Sequence, residues 1–431
     1  MTIESIFKLK QSGTTPKREV IGGITTFLTM AYILVVSPAI MSQTGMDYGA
    51  LFTATAISSA VACLMMGLLA NLPIALAPGM GINAFLAYTV VLHLGYSWEM
   101  AIGAVFIEGI IFILLSLFNI REIIVRSIPP VLKNAIGIGI GLFIATIGLI
   151  NGGVITQSDP ISELGDISEP SIYLTLISIV IIGAMVIKKV PGGLLLGMLV
   201  TTVVAVPLGV VTIPENFSVF AMPQSIEPIF MKMDFSHLLS LDMALIVFTL
   251  IFSDLFDTAG TLIAICTRSN MVDEQGEIKN AKMAFLADAV STTVGATLGM
   301  SAVTSYVESA AGVAAGGRTG LTAVVTAALF VAALFFAPMF SIIPNAATAA
   351  VLVVVGLFMM SSIKLIDFDD YKYALPAFIT ILFIPLSYNI ATGISYGFLT
   401  YVALHVIIGR YRDVSVVMYI LALFFVAKIF M

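Results

Sequence analysis

Apolar stretches of about twenty residues follow one another along almost the whole chain, separated by short polar connections. A run of that length crosses a ~30 Å hydrocarbon core as a single helix. Backbone N–H and C=O groups in lipid need internal partners, so helices are the only reading such runs allow. The composition agrees. Hydrophobic residues make up 59% of the chain and charged residues 10%, with a mean hydropathy of +1.10, whereas a soluble domain carries about 25% charged residues. So little polar surface cannot coat a water-facing sphere; the solvent is the lipid bilayer.

The runs predict spans over 20–41, 50–70, 73–92, 98–118, 131–151, 171–187 and 192–213. After a polar connection come 242–266, 281–299, 301–316, 319–337, 343–362, 372–389 and 391–409. The expected fold is an all-α polytopic membrane protein of fourteen transmembrane segments in two sets of seven. A final apolar stretch, 414–431, is a fifteenth candidate that could span or lie at the interface. Residues 1–18 are polar and basic and lack the cleavage pattern of a signal peptide, so the first span is expected to be retained.

Basic residues set the expected orientation. With the N-terminus cytoplasmic, the inner side receives Lys8, Lys10, Lys17, Arg18, Arg121, Arg126, Lys133, Lys188 and Lys189. It also receives Arg268, Lys279, Lys282, Arg318, Lys364, Lys372, Arg410 and Arg412, and the outer loops hold only Lys232. The loop 152–170 carries Asp159, Glu163, Asp166 and Glu169 and no base. The net charge of −6 itself decides little, because placement outweighs the sum.

Short matches between the halves suggest a repeat. Pro191-Gly-Gly-Leu-Leu-Leu-Gly197 opens the seventh span and Ala391-Thr-Gly-Ile-Ser-Tyr-Gly397 the fourteenth, each with a Gly-x-x-x-Gly. Ser127-Ile-Pro-Pro and Ser341-Ile-Ile-Pro introduce the fifth and twelfth. An odd number of spans per repeat inverts the second copy, and inverted repeats place substrate sites near the midplane. The same glycines serve equally well for plain helix packing.

The third and tenth spans take equivalent places in the two halves, and both are interrupted. The third contains Ala77-Pro-Gly-Met-Gly-Ile-Asn83-Ala-Phe85, where Pro78 lacks a donor and Gly79 and Gly81 tolerate extended backbone. The tenth runs Thr304-Ser305-Tyr306-Val-Glu308-Ser309, short, hydroxyl-rich and carrying one carboxylate. Short extended breaks at that depth must line a cavity or be buried in protein, and they are the best sequence pointer to a transporter site. Ordinary kinked helices are the competing reading.

Asp254 and Asp257 sit three residues apart in the eighth span, on one helix face. A central carboxylate costs about 2.5–3.5 kcal/mol to insert, so two on one helix imply a use: substrate contact, proton carriage, or the capping of a broken helix. Glu308 lies in the other interrupted segment and is the stronger substrate candidate. Glu108 reads as a helix–helix polar contact with a smaller claim on the site, and Asp288 as interfacial or structural. His93, His405 and His237 have no clustered partners, and Cys63 and Cys266 show no CxxC spacing, so no metal site or disulfide is expected. The acidic stretch 273–277 lacks the spacing of a calcium loop. Gly137-x-Gly139-x-Gly141 follows no strand, which favours helix packing over nucleotide binding, and no Walker-type phosphate loop occurs.

Three of these motifs, in order, are specific enough to identify a family. "APGMGINAF", "SDLFDTAGTL" and "TSYVESAAGVAAGGRTG", with "GGITTFLTMAYI" in the first span, resemble the adenine/guanine/hypoxanthine permeases. These are the azaguanine-like branch of the nucleobase–cation symporters. The resemblance covers essentially the whole chain and implies a uracil-permease-like fold of seven plus seven inverted spans. It implies a core domain from 20–118 (spans 1–4) and 242–337 (spans 8–11), and a gate domain from 119–213 (spans 5–7) and 338–409 (spans 12–14). A cytoplasmic segment 1–19, an extracytoplasmic connection 214–241 and a C-terminal apolar segment 410–431 complete the division; that last segment has no counterpart in the uracil-permease plan.

The resemblance further implies a multi-pass protein of the bacterial inner membrane that imports purine nucleobases with protons, sodium being the lesser candidate. Asn83 resembles a substrate-site polar residue, Asp254 the eighth-span substrate carboxylate, Asp257 a second acid, and Glu308 the glutamate that holds the base. Thr258 stands where the uracil branch has histidine, so that histidine's role does not transfer.

Side-chain chemistry is compatible with this. A purine offers N–H donors and ring acceptors: Glu308 and Asp254 accept, Asn83 does both, and Thr304 adds a hydroxyl. Phe85 or Tyr306 would face the ring, with core packing the alternative for each. Proton coupling would fall to Asp254, Asp257 or Glu308. No cofactor, catalytic residue or nucleic-acid partner is expected, and a homodimer is a candidate assembly. An anion transporter of the same fold would favour a base at the tenth-span break, where this chain has Glu308. A membrane enzyme would need a nucleophile–base or metal constellation that the sequence lacks.

Overall fold

The computed structural model describes residues 3–118, 120–157, 162–214, 217–236, 240–269, 271–272, 278 and 280–430. Asp159, His237, the stretch 273–277 and Lys279, with the side chains of Arg126 and Arg268, lie outside the described residues.

Two long helices open the fold: α1, Pro16–Thr44, and α2, Tyr48–Ala70. Local chemistry sets their ends. Pro16 starts α1 behind the cap Thr15, Gly45 in a left-handed conformation stops it, and the Asp47 carboxylate caps α2 by accepting from Ala50 N–H at 2.7 Å. Strand β1, Leu76–Pro78, leads into α3, Met80–His93. Then come α4, Trp98–Leu117, and α5, Pro130–Asn151, with the short helix Ile120–Ser127 between them. A hairpin the sequence reading did not anticipate pairs β2, Ile155–Gln157, with β3, Ser162–Leu164.

Helices α6, Pro170–Ile187, and α7, Gly193–Ala205, close the first half. The second half holds α8, Leu241–Arg268, α9, Ala281–Thr297, strand β4, Val303–Ser305, and α10, Ser309–Ala314. It ends with α11, Gly320–Ser341, α12, Asn345–Leu365, α13, Tyr371–Leu386, α14, Ile390–Ile407, and α15, Val416–Phe430. Among the described residues nine helices are long and apolar enough to cross a membrane. The chain is a multi-pass membrane protein.

Strands β1 and β4 pair antiparallel, Leu76 with Ser305, Ala77 with Thr304 and Pro78 with Val303. The ladder continues on both sides, with Gly79 N–H donating to Ala302 C=O at 2.9 Å and Tyr306 N–H to Ala75 C=O at 3.0 Å. Pro78 has no N–H, and β-branched Val303 and Thr304 favour extended backbone, so both segments gain more from pairing than from helix. The residues are fully buried, where unpaired backbone would cost several kcal/mol per group.

Helix α11 packs against α1 and α2, and α4 against α8 and α9. Separately, α12 packs against α5 and α6, and α13 against α5 and α14, with α15 resting on α14. The Gly-x-x-x-Gly pairs serve helix packing. Gly193 and Gly197 lie against Met185 and Ile182 of α6, and Gly393 and Gly397 against Ile384 and Thr380 of α13.

Glu19 is buried within α1, facing the start of α11. Its carboxylate accepts from the N–H groups of Arg318, Thr319 and Thr322 at 2.8, 3.3 and 3.2 Å, and from the Thr322 hydroxyl at 2.6 Å. The negative charge therefore meets the free amides and positive dipole end of α11. Glu19→Gln replaces one acceptor oxygen with a donor. We expect a loss of about 1–3 kcal/mol, read as a lowered unfolding temperature in detergent; an unchanged midpoint would show the cap to be dispensable.

Candidate functional site

A cavity opens where β4 and the turn after it face α12. Its wall on one side carries Asp257 and Thr261 of α8, Thr304 and Tyr306, Glu308, and Tyr32 of α1. Met80 and Gly81, at the start of α3, form its floor, and Val355, Phe358 and Met359 of α12 face them. The polar wall is pinned. Tyr32 donates to Glu308 Oε1 at 2.7 Å, and Tyr306 donates to the Pro78 carbonyl at 2.5 Å. The Asp257 carboxylate pairs with the Thr304 hydroxyl. The Ser309 hydroxyl accepts from Ala75 N–H at 3.0 Å and ties the start of α10 to β1. The result is a slot lined by two carboxylates, hydroxyls and aromatic rings together with apolar side chains of α3 and α12. Among the described residues no basic side chain lines it.

The sequence candidates separate into two groups. Asp257, Thr304, Tyr306 and Glu308 share this cavity. Asn83, Asp254 and Phe85 do not line it. Asn83 is fully buried, donates to Ser37 Oγ at 2.8 Å and accepts from Ser301 Oγ. Phe85 is 2% exposed and belongs to the hydrophobic core. Asp254 is fully buried on a neighbouring face of α8, where its Oδ1 lies 3.1 Å from the Thr258 hydroxyl.

Arg121, assigned above to the inner side, is fully buried. The helix Ile120–Ser127 follows α4 and turns the guanidinium inward, where Nη2 lies 2.7 Å from Asp288 Oδ2 and 3.8 Å from Asp254 Oδ2. Nη1 donates to the Phe285 carbonyl at 3.3 Å, and the group stacks 4.0 Å over the Phe112 ring. Buried carboxylates thus outbid the aqueous interface. Asp288 is accordingly a buried ion-pair partner, the structural alternative offered for it, not an interfacial charge.

Tyr32 and the α12 residues were missed by sequence reasoning. Tyr32 reaches Glu308 across 276 positions of chain, and no local pattern marks such a contact.

Comparison with known proteins bears on the whole chain. A family model described as Permease family, Xan_ur_permease, matches residues 17–396. Guanine/hypoxanthine permease PbuG of Bacillus subtilis is 41% identical over 436 residues, covering 98% of each chain. Adenine permease AdeQ of Escherichia coli is 40% identical over 430 residues, covering 99% of this chain and 96% of its own. Among solved structures, the transmembrane domain of the cyanobacterial bicarbonate transporter BicA superposes with a TM-score of 0.66 at 16% identity, covering 88% of this chain and 96% of its own. At that identity the likeness speaks for fold alone: a helical membrane-transporter fold. The chain belongs to the Xan_ur_permease family of membrane permeases.

Proposed function

We propose that this chain is a secondary active transporter of the cell membrane that imports purine nucleobases (adenine, guanine or hypoxanthine) by proton symport with alternating access. The observation that carries the reading is the slot itself. Glu308 and Asp257 stand as acceptors for ring and exocyclic N–H groups, the Thr304 hydroxyl, whose proton goes to Asp257, adds a further acceptor, and Tyr306 adds an aromatic ring to the lining. The relatives PbuG and AdeQ, guanine/hypoxanthine and adenine permeases, support the substrate class. Of the other candidates, Asn83 and Asp254 act from behind the wall, Asn83 through Ser37 and Ser301 and Asp254 through Thr258.

The architecture we infer is fourteen spans in a seven-plus-seven inverted repeat with a cytoplasmic N-terminus, α1–α4 and α8–α11 forming the core domain and α5–α7 and α12–α14 the gate. Three features support it. The β1–β4 pair joins equivalent positions of the two halves, the two Gly-x-x-x-Gly pairs make matching contacts, and the cavity lies between core elements and α12 of the gate. The cavity offers about 50 Å³ of water-accessible space, room for a few water molecules and less than a two-ring base needs. On this reading α12 and β4 separate to admit the base, a motion of the kind alternating access needs.

An anion carrier, the role BicA's name gives it, is disfavoured by two carboxylates and no base on the wall. The test is uptake of labelled adenine and hypoxanthine in a strain lacking purine uptake, competed by each purine, uracil and bicarbonate. We expect saturable uptake, competed by purines and abolished by a protonophore. Competition by bicarbonate but by no purine would overturn the reading.

A further inference from the structure

Beside the cavity, on the neighbouring face of α8, lies a second polar cluster that the slot does not use. It contains Glu108 of α4, Arg121, Asp254 and Thr258 of α8, and Asp288 of α9, all fully buried. The one guanidinium lies 2.7 Å from Asp288 and 3.8 Å from Asp254, and its charge reaches Glu108 without a direct contact. The charged groups acting on Glu108 are Asp254 and Asp288 from α8 and α9, and Arg121 from the helix between α4 and α5; Asp257, farther along α8, acts in turn on Asp254.

The hydrogen bonds fix how many protons the cluster holds. The Thr258 hydroxyl lies 3.1 Å from Asp254 Oδ1 and 3.1 Å from Asp288 Oδ1, and it accepts from Ser305 N–H at 3.3 Å. A hydroxyl carries one proton, so it donates to only one of the two carboxyls. The other must bring its own. Asp288 Oδ2 is 2.7 Å from the Arg121 guanidinium, the length of a charge-assisted bond to a carboxylate; Asp288 is therefore the ionised member. Asp254, whose Oδ2 has no hydrogen-bond partner, donates its proton to Thr258 Oγ1, and Thr258 donates to Asp288. Glu108 is in a starker position. Among the described residues neither of its oxygens meets a donor, and an isolated buried carboxylate without hydrogen bonds neutralises rather than remain charged.

We propose that Glu108 and Asp254 both hold a proton in the resting protein and, with Arg121 and Asp288, form a proton site outside the substrate cavity, linked to β4 through Thr258. Charge then balances: one guanidinium, one carboxylate and two neutral acids. Loss of the Asp254 proton leaves two carboxylates competing for the single Thr258 hydrogen. The hydroxyl must turn, and its bond from Ser305 N–H turns with it. Ser305 adjoins Thr304 and Tyr306 on the cavity wall, so the proton state reaches the slot through one backbone amide. The coupling role rests on the purine–proton reading above; the proton count does not.

Two measurements separate these. In infrared spectra of the full-length protein in lipid, we expect the C=O stretch of protonated carboxylic acids at neutral pH. Glu108→Gln should remove part of that band, and Thr258→Val should shift the Asp254 component, whose acceptor is gone. A band unchanged in both variants overturns the proton site, and if Glu108→Gln fails to fold, an unshifted band in Thr258→Val does so alone. In proteoliposomes with an imposed pH gradient, Glu108→Gln should keep purine counterflow yet accumulate purine at least about tenfold less than the parent, a difference of about 1.4 kcal/mol in coupled work. Undiminished accumulation overturns the coupling role. Absence of purine counterflow in the parent protein would sink the proposed function while the infrared result still decides the proton site.

Discussion

Glu308→Ala should weaken purine binding by about 10- to 150-fold, corresponding to the ~1.5–3 kcal/mol carried by a hydrogen bond to a charged group. The carboxylate is held ready for the base, because Tyr32 donates to Oε1 at 2.7 Å and fixes the side chain, leaving Oε2 to accept from the ligand. Alanine removes the acceptor and also strands the Tyr32 hydroxyl. Glu308→Gln keeps an oxygen for Tyr32 but turns an amide N–H₂ toward the ligand's donor, so its loss should approach that of alanine for binding. Tyr32→Phe leaves the acceptor in place and only frees it to rotate, so its loss should be the smallest of the three. Direct binding of labelled base to purified protein distinguishes them. Equal affinity in the parent and Glu308→Ala would mean that purines do not bind in this slot. Proton-coupled accumulation surviving Glu308→Gln at its reduced affinity would mean that the essential proton is carried elsewhere, as the Glu108–Asp254 cluster requires.

The residues that reached the slot are those whose signal is one-dimensional. An interrupted apolar run is visible in sequence, and Thr304, Tyr306 and Glu308 all lie in one. Asp257 followed from the cost of a carboxylate in a span. What spacing could not decide was which way each acid points. Positions three apart on a helix share a face only to within about 60°, and on α8 that angle separates Asp257, on the cavity, from Asp254, beside Arg121. Asn83 and Phe85 lie off the cavity for a related reason: the third segment is read as a break, but its register against β4 and α1 is a tertiary fact, and that register turns Asn83 toward Ser37 and Ser301. Tyr32 and the α12 side chains come from contacts between distant parts of the chain. Arg121 reads by position as a base between two spans, and its burial beside Asp288 is again a tertiary fact. Hydropathy located the long helices well, since each run must match the bilayer on its own; it carried nothing about the β2–β3 hairpin, which lies in a polar loop.

The largest stability effect is expected at Arg121. Removing one partner of a buried ion pair leaves an uncompensated charge and costs about 3–5 kcal/mol, a large share of the ~5–15 kcal/mol by which proteins are commonly stable. Arg121→Met keeps an unbranched stem but ends short of the Cζ that lies over the Phe112 and Phe285 rings, and it leaves Asp288 without its guanidinium, so the loss should report charge mainly and stacking in part. Arg121→Met with Asp288→Asn removes both charges together and should recover most of it, because an amide at 288 still accepts from Thr258 and no buried ion remains. Arg121→Lys keeps the charge but loses the flat stacking and the second donor to the Phe285 carbonyl, and should fall between. Unfolding midpoints in one detergent give the whole cycle. If Arg121→Met lies within about 1 kcal/mol of the parent, or the double variant is worse than the single by the full cost of Asp288→Asn, then Arg121 is not compensating Asp288. The ionised assignment of Asp288 would fall with that result, and so would the argument that the proton beside Thr258 belongs to Asp254.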